Sequence, residues 1–179
     1  MTNEEDSRRE NIKEIHNFSS WKRKVTDKKR RDLSIDLSAS IRDFSDIKNL
    51  FNWKLIRKEP VEIERQECKA TEYLWKNPTN EKEELVQIRI IECNSFSDAH
   101  EAIIDFMMSS SLMKFPSCEE IGIDIGDICF GGYGEILTGI IFARNNVMVY
   151  IRSIGKNDIS IKEIAENIDS MIRGKIDIA

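Results

Sequence analysis

In several short stretches of this chain, hydrophobic residues alternate with polar ones; elsewhere they recur every three or four positions. The two periods separate strands from helices, because side chains alternate faces along a strand and return to one face about every 3.6 residues along a helix. Leu33, Ile35 and Leu37 alternate with polar neighbours and predict a short half-buried strand. Ile41, Phe44, Lys48, Phe51 and Leu55 follow helical spacing, with Phe44, Ile47 and Phe51 as the buried contacts. Pro60 ends what precedes it, since it disfavours helical geometry at Glu59. Residues 61–65, 70–75 and 85–93 then predict three strands. In the third, Val86, Ile88 and Ile90 point to one face while Gln87 and Arg89 point to the other. The polar link 76–83, with Pro78 and Asn80, joins the last two strands as a hairpin loop.

A helix is predicted over 97–113, with Asp98 and Glu101 in a first turn where negative charge suits the helix dipole. Its core stripe is Ala99, Ala102, Ile103, Phe106 and Met107. Residues 127–130 read as a strand and 131–139 as a glycine-rich turn. Strands at 140–144 and 147–151 flank Asn145-Asn146, and asparagine tolerates the left-handed backbone that a two-residue hairpin turn demands. With that register Ile140 and Phe142 share a face with Val147, Val149 and Ile151. A last helix is capped by Ser160 with Glu163 at the capping-box position, and Gly174 fits its stop. Its apolar face is Ile161, Ile164, Ala165, Ile168, Met171 and Ile172. Runs of strands followed by helices define an α+β domain. The economical arrangement is an antiparallel sheet of about five to seven strands with both helices packed on one face. The repeated meander-then-helix order suggests an internal duplication.

The stretches Ile125-Gly126-Asp127-Ile128-Cys129-Phe130, Ile141-Phe142-Ala143-Arg144-Asn145-Asn146-Val147 and Ile164-Ala165-Glu166-Asn167-Ile168-Asp169 together resemble a small bacterial domain of uncharacterised function, over roughly the last 80 residues. The resemblance implies strands packed with helices and brings no catalytic residue with it.

Charge divides the 179 residues unevenly. Residues 1–58 hold 15 Lys and Arg against 10 Asp and Glu, a balance of +5, while 59–179 hold 12 against 22, a balance of −10. The run 22–31 carries seven basic residues in ten and should repel itself. Residues 1–32 are therefore expected to form a charged arm, mobile or helical when docked, ahead of a single domain over 33–179. Ile12, Ile15, Phe18 and Trp21, at every third position, mark the helical alternative. The chain starts without a basic apolar leader and holds no run long enough to span a membrane, so a cytoplasmic setting without membrane contact is expected. In that setting Cys68, Cys93, Cys118 and Cys129 read as small buried thiols; an exported chain would leave three disulfide pairings open.

Candidate chemistry is sparse. The histidines are His16, in the charged arm and expected to be solvated, and His100, in a helix first turn. No second histidine lies near enough in sequence to pair as a metal ligand, and no G-x-S-x-G elbow is present. Glu119, Glu120, Asp124, Asp127 and Glu135 lack the order of a calcium loop, so no metal or other cofactor is expected. Gly131-Gly132-Tyr133-Gly134 precedes a strand rather than a helix, which argues for a hairpin connection over a phosphate cradle. Loops carry function more often than core positions do, so Gly132, Tyr133, Gly134 and His100 are the candidate ligand edge. Trp21, Lys22, Arg23, Lys24, Lys28, Lys29, Arg30 and Arg31 could attract a phosphate backbone or an acidic protein surface, although the acidic domain opposes nucleic acid. The sequence therefore favours a non-enzymatic module that docks a protein partner or a small ligand. Nucleic-acid binding through the arm is the alternative. A hydrolase using His100, Asp124, Asp127 or Cys129 ranks third.

Overall fold

A computed structural model of the chain describes residues 3–18, 50, 52–79, 83–110, 115–132 and 134–178. Helix α1 (Asn3–Ile15) precedes strands β1 (Lys54–Val61), β2 (Cys68–Lys76) and β3 (Leu85–Cys93) and helix α2 (Phe96–Ser109). Strands β4 (Ile128–Gly131), β5 (Gly139–Arg144) and β6 (Val147–Ser153) follow, and helix α3 (Lys162–Ile178) ends the fold. The six strands form one sheet in the order β1-β2-β3-β6-β5-β4, antiparallel throughout. The α+β class and the strand number agree with the sequence. Among the described residues, no helix is long and apolar enough to cross a membrane. The strand expected at 33–37 and most of the helix expected at 41–55 lie outside the described residues, and Leu55 sits in β1.

The predicted strand at 61–65 is displaced: β1 ends at Val61 and contains Pro60. Proline is tolerated there because β1 is the sheet's edge, where half of the backbone donors have no neighbouring strand to serve. The edge is also bulged between Leu55 and Arg57 and carries Lys54, Arg57, Lys58 and Glu59, features that discourage edge-to-edge association.

The two sheet-packing helices lie on opposite faces rather than on one. Ile164, Ala165, Ile168 and Ile172 of α3 cluster with Val86, Ile88, Ile90, Ile140, Phe142 and Val149. Ala99, Ala102, Ile103 and Met107 of α2 cluster with Ala70, Ile91, Ile141, Ala143 and Met148. These two strand sets are the alternate positions of the same strands, so each points to its own face. Both faces of β5 and β6 must be apolar for this, and Ile140 to Ala143 and Val147 to Val149 are buried without a break. The arrangement does not bear out the suggested duplication as a symmetric one. A two-fold axis relating the halves across the antiparallel β3–β6 pair would stand perpendicular to the sheet and place both helices on one side.

Ser95 caps α2, its side chain accepting from the Asp98 N–H at 3.1 Å. Helix α3 departs from its predicted ends. The first helical bond runs from Ala165 N–H to the Ile161 carbonyl, so Ile161 and not Ser160 takes the cap position. Gly174 does not stop the helix, which continues to Ile178. Helix α1 packs on α2: Arg9 donates to Asp105 at 2.6 Å and to Glu101 at 3.1 Å, while Ile12 and Phe18 are buried with the α2 cluster. His16, expected to be solvated, is instead buried, with its ring edge-on to Phe130 at 4.9 Å. Residues 3–18 thus contribute to the packed body.

The Asn145-Asn146 turn forms as predicted, with Asn145 at φ 53°. A buried charge network ties it to α3. Asp169 accepts from Arg144 at 2.7 and 2.9 Å, from the Gly126 N–H at 3.1 Å and from Arg173 at 2.8 Å. Asp127 accepts from Arg144 at 3.2 Å and from the Asn145 N–H at 2.8 Å. Burial alone would lower the Arg144 pKa, but the hydrogen bond to Asp169 and the charges of Asp169, Asp127 and Asp124 raise it above the ordinary arginine value.

The four cysteines are not separate thiols. Cys68 pairs with Cys93 and Cys118 with Cys129, each as a disulfide.

Candidate binding face

Helix α2 covers only part of its sheet face. Its Phe106 ring reaches Tyr150 at 4.7 Å, and beyond that contact the face becomes polar. Strand register places Arg57 beside Leu74, Leu74 beside Gln87, and Gln87 beside Arg152 in one row across four strands. The next row holds Glu59, Glu72, Arg89 and Tyr150. Register partners point to the same side, so three guanidinium groups share this half of the sheet.

Their positions are set by acceptors beneath them. Glu72 is 4% exposed and accepts from Arg57 at 2.7 Å on one carboxylate oxygen and from Arg89 at 2.7 Å on the other. Burial would raise the Glu72 carboxyl, but hydrogen bonds from Arg89, Gln87 and Arg57 outweigh it and hold the pKa below the usual carboxylate range. Arg152 donates to the Gln87 side-chain oxygen and lies over the Tyr150 ring at 5.8 Å. Arg57 and Arg89 remain 47% and 33% exposed, and Arg152 is exposed as well. Arg57 also pairs with the exposed Glu59 at 3.1 Å; an arginine has five N–H donors, so each still retains donors beyond those that Glu72, Gln87 and Glu59 take. Lys54 stands directly opposite Lys76 at the rim, an unfavourable like-charge pair that an anion would relieve. The result is a basic island on a body that is acidic overall.

The opposite character appears beside β4. A cleft of about 410 Å³ is lined by the Cys118–Cys129 disulfide, the carboxylates Glu119 and Asp124, and Ile123 and Ile125.

No family model, curated protein or solved structure matches this chain.

The candidate residues read from sequence are not brought together. Gly132 bonds its N–H to the Gly139 carbonyl at 2.9 Å, in the connection between β4 and β5. That connection is a hairpin link, as expected. His100 is buried in the second turn of α2 against Phe96, with ring centroids 3.7 Å apart. Helix α2 starts just beyond Cys93, beside the Asn145-Asn146 turn, so His100 lies at the other end of the sheet from Gly132 and Gly134. Tyr133 and the basic run from Trp21 to Arg31 lie outside the described residues. Of the groups named for a hydrolase, Asp124 and Cys129 line the same cleft, but His100 is apart from them. Cys129 is bonded to Cys118 in the cluster on the α3 face, Asp127 is held by Arg144, and His100 belongs to the α2 side. Among the described residues, no group of three or more His, Cys, Asp or Glu side chains could hold a metal ion.

Arg57, Glu72 and Arg152 were missed as functional candidates because each stands alone in the sequence, far from the residues it joins. Neither β1 nor β2 shows a clean polar–apolar alternation that would have marked Arg57 or Glu72. Gln87 and Arg89 gave that signal in β3.

Proposed function

We propose that this protein is a non-catalytic interaction module that docks an acidic segment of a protein partner on the open half of its α2-side sheet face. The guanidinium cluster of Arg57, Arg89 and Arg152 carries the reading, because buried acceptors orient it and it remains open to solvent. Arginine presents paired N–H donors that match a carboxylate, and charge-assisted bonds of this kind are the stronger class. An acidic peptide suits the face better than a polynucleotide. The surrounding body, at −10 over residues 59–179, repels a long polyanion but tolerates a short carboxylate segment seated on the island.

Fluorescence anisotropy with a labelled deca-glutamate peptide tests this reading, with a labelled single-stranded oligonucleotide as the competing probe. Arg57→Gln with Arg152→Gln should weaken peptide binding about tenfold, roughly 1.4 kcal/mol, and raising salt should weaken it further. Arg89 stays in place to satisfy Glu72, so the fold is retained. Peptide binding indifferent to both substitutions, or tighter binding of the oligonucleotide, would reject the reading.

A further inference from the structure

We infer that Cys68–Cys93 and Cys118–Cys129 are native disulfides, and that the protein matures and works in an oxidising compartment and not in a reducing cytoplasm. The four cysteines fall into two pairs with none left over. The backbone aligns each pair independently of the sulfurs. Cys68 and Cys93 are register partners in β2 and β3, and the Asn94 N–H bonds to the Glu67 carbonyl at 3.0 Å beside them. That bond makes 68 and 93 the non-hydrogen-bonded pair, the site where opposed side chains come closest. The Cys118 N–H likewise donates to the Cys129 carbonyl at 2.9 Å, so β4 already holds the two residues side by side. Cα separations of 4.0 and 5.2 Å follow.

The two bonds have distinct places. Cys68–Cys93 closes the end of the β2–β3 pair on the α2 face. Cys118–Cys129 belongs to the α3-side core and closes the segment 119–128, which walls the acidic cleft. Each bond forms by two exchanges with a low-molecular-weight or protein disulfide as oxidant. One cysteine thiolate attacks the external disulfide and expels a thiol. Its partner's thiolate then attacks the mixed disulfide and expels the second thiol. Two electrons and two protons leave the pair, and the oxidant becomes two thiols. All four cysteines are less than a tenth exposed, which shields the finished bonds from reductant. A glutathione-reduced cytosol supplies no such oxidant, whereas extracytoplasmic compartments do.

The full chain isolated from its own cells under acid quench, then unfolded and alkylated without reductant, tests the inference. Mass spectrometry should find no alkylated thiol, and a non-reducing digest should contain the 68–93 and 118–129 cross-links. Alkylation of all four cysteines, or a different pairing, would overturn it. The Cys118→Ser, Cys129→Ser variant should retain the 68–93 bond while amide exchange over 119–127 quickens about tenfold. Unchanged exchange there would refute the role assigned to the second bond.

Discussion

Reducing both disulfides perturbs stability in a way that can be worked from their positions. Reduction leaves the native contacts nearly intact, because the freed thiols are buried and pack as small hydrophobes. The effect therefore resides in the unfolded chain, which regains the freedom that the cross-links removed. In the chain-entropy model, a bond across a sequence separation of 25 contributes about 3.5 kcal/mol and one across 11 about 2.8 kcal/mol. The two closed loops do not overlap in sequence, so the contributions add to about 6 kcal/mol. That is of the order of the whole stability of an ordinary domain, roughly 5–15 kcal/mol. With a urea dependence of about 2 kcal/mol per molar, the unfolding midpoint should fall by about 3 M on full reduction. The Cys118→Ala, Cys129→Ala variant should lose somewhat under half of that, and reduction should then remove the rest. Urea titrations with and without dithiothreitol, with thiol release checked at each point, provide the assay. A shift below about 1 M with all thiols released would refute the reasoning. So would a larger loss from the shorter loop than from the longer one.

Three further outcomes are expected. Asp169→Ala removes the main acceptor of the buried Arg144 guanidinium and leaves it only Asp127, which should cost about 3 kcal/mol, while Arg144→Met with Asp169→Leu and Asp127→Asn should cost much less; thermal unfolding separates the two, and a single-variant loss under about 1 kcal/mol would count against the network. Because the folded Glu72 pKa lies below its unfolded value, its contribution is complete above the ordinary carboxyl range, about 4.3, and is lost as pH falls through the lowered folded value. Melting temperatures followed from pH 6 to pH 3 should therefore drop less steeply in Glu72→Gln than in the wild type. Gly126→Ala should destabilise by about 2 kcal/mol or more, against about 1 kcal/mol for Gly122→Ala, as read by urea unfolding. Both glycines have φ +71°, but an added Cβ at Gly126 meets the Ile128 and Ala143 carbonyl oxygens at 2.8 and 2.9 Å, while at Gly122 it meets open space.

Much of the fold was legible because local periodicity carried it. Strand β3 has the predicted bounds, and the Asn145-Asn146 turn has the predicted conformation. The placement of the helices was not read correctly, although a signal existed. Alternation at Ile140, Phe142, Val147 and Val149 suggested one buried face, but Ile141, Ala143 and Met148 between them are apolar too. Such continuous runs mark strands covered on both sides. The end of α3 was misread because Gly174 can stop a helix but is also tolerated within one. Cysteine spacing could not choose among three pairings, which strand register decides. The arginine face was illegible for the same reason. Arg57, Glu72, Arg89 and Arg152 come from four strands, and only their register makes them neighbours.

The pairing of β3 with β6 also sets the order in which the chain can complete itself during synthesis. Across that seam the Asn146 amide reaches the Cys93 carbonyl over 53 residues, and Arg152 reaches Gln87 over 65. A ribosome adding about 5–20 residues per second needs several seconds to deliver β6 after β3 has emerged. Throughout that interval β3, the future centre of the sheet, is an unprotected border of the nascent chain, with Val86, Ile88 and Ile90 on one side and Ile91 on the other. The finished molecule guards β1, its outer edge, with charge, a bulge and a proline; the growing one exposes a largely apolar edge with neither bulge nor proline.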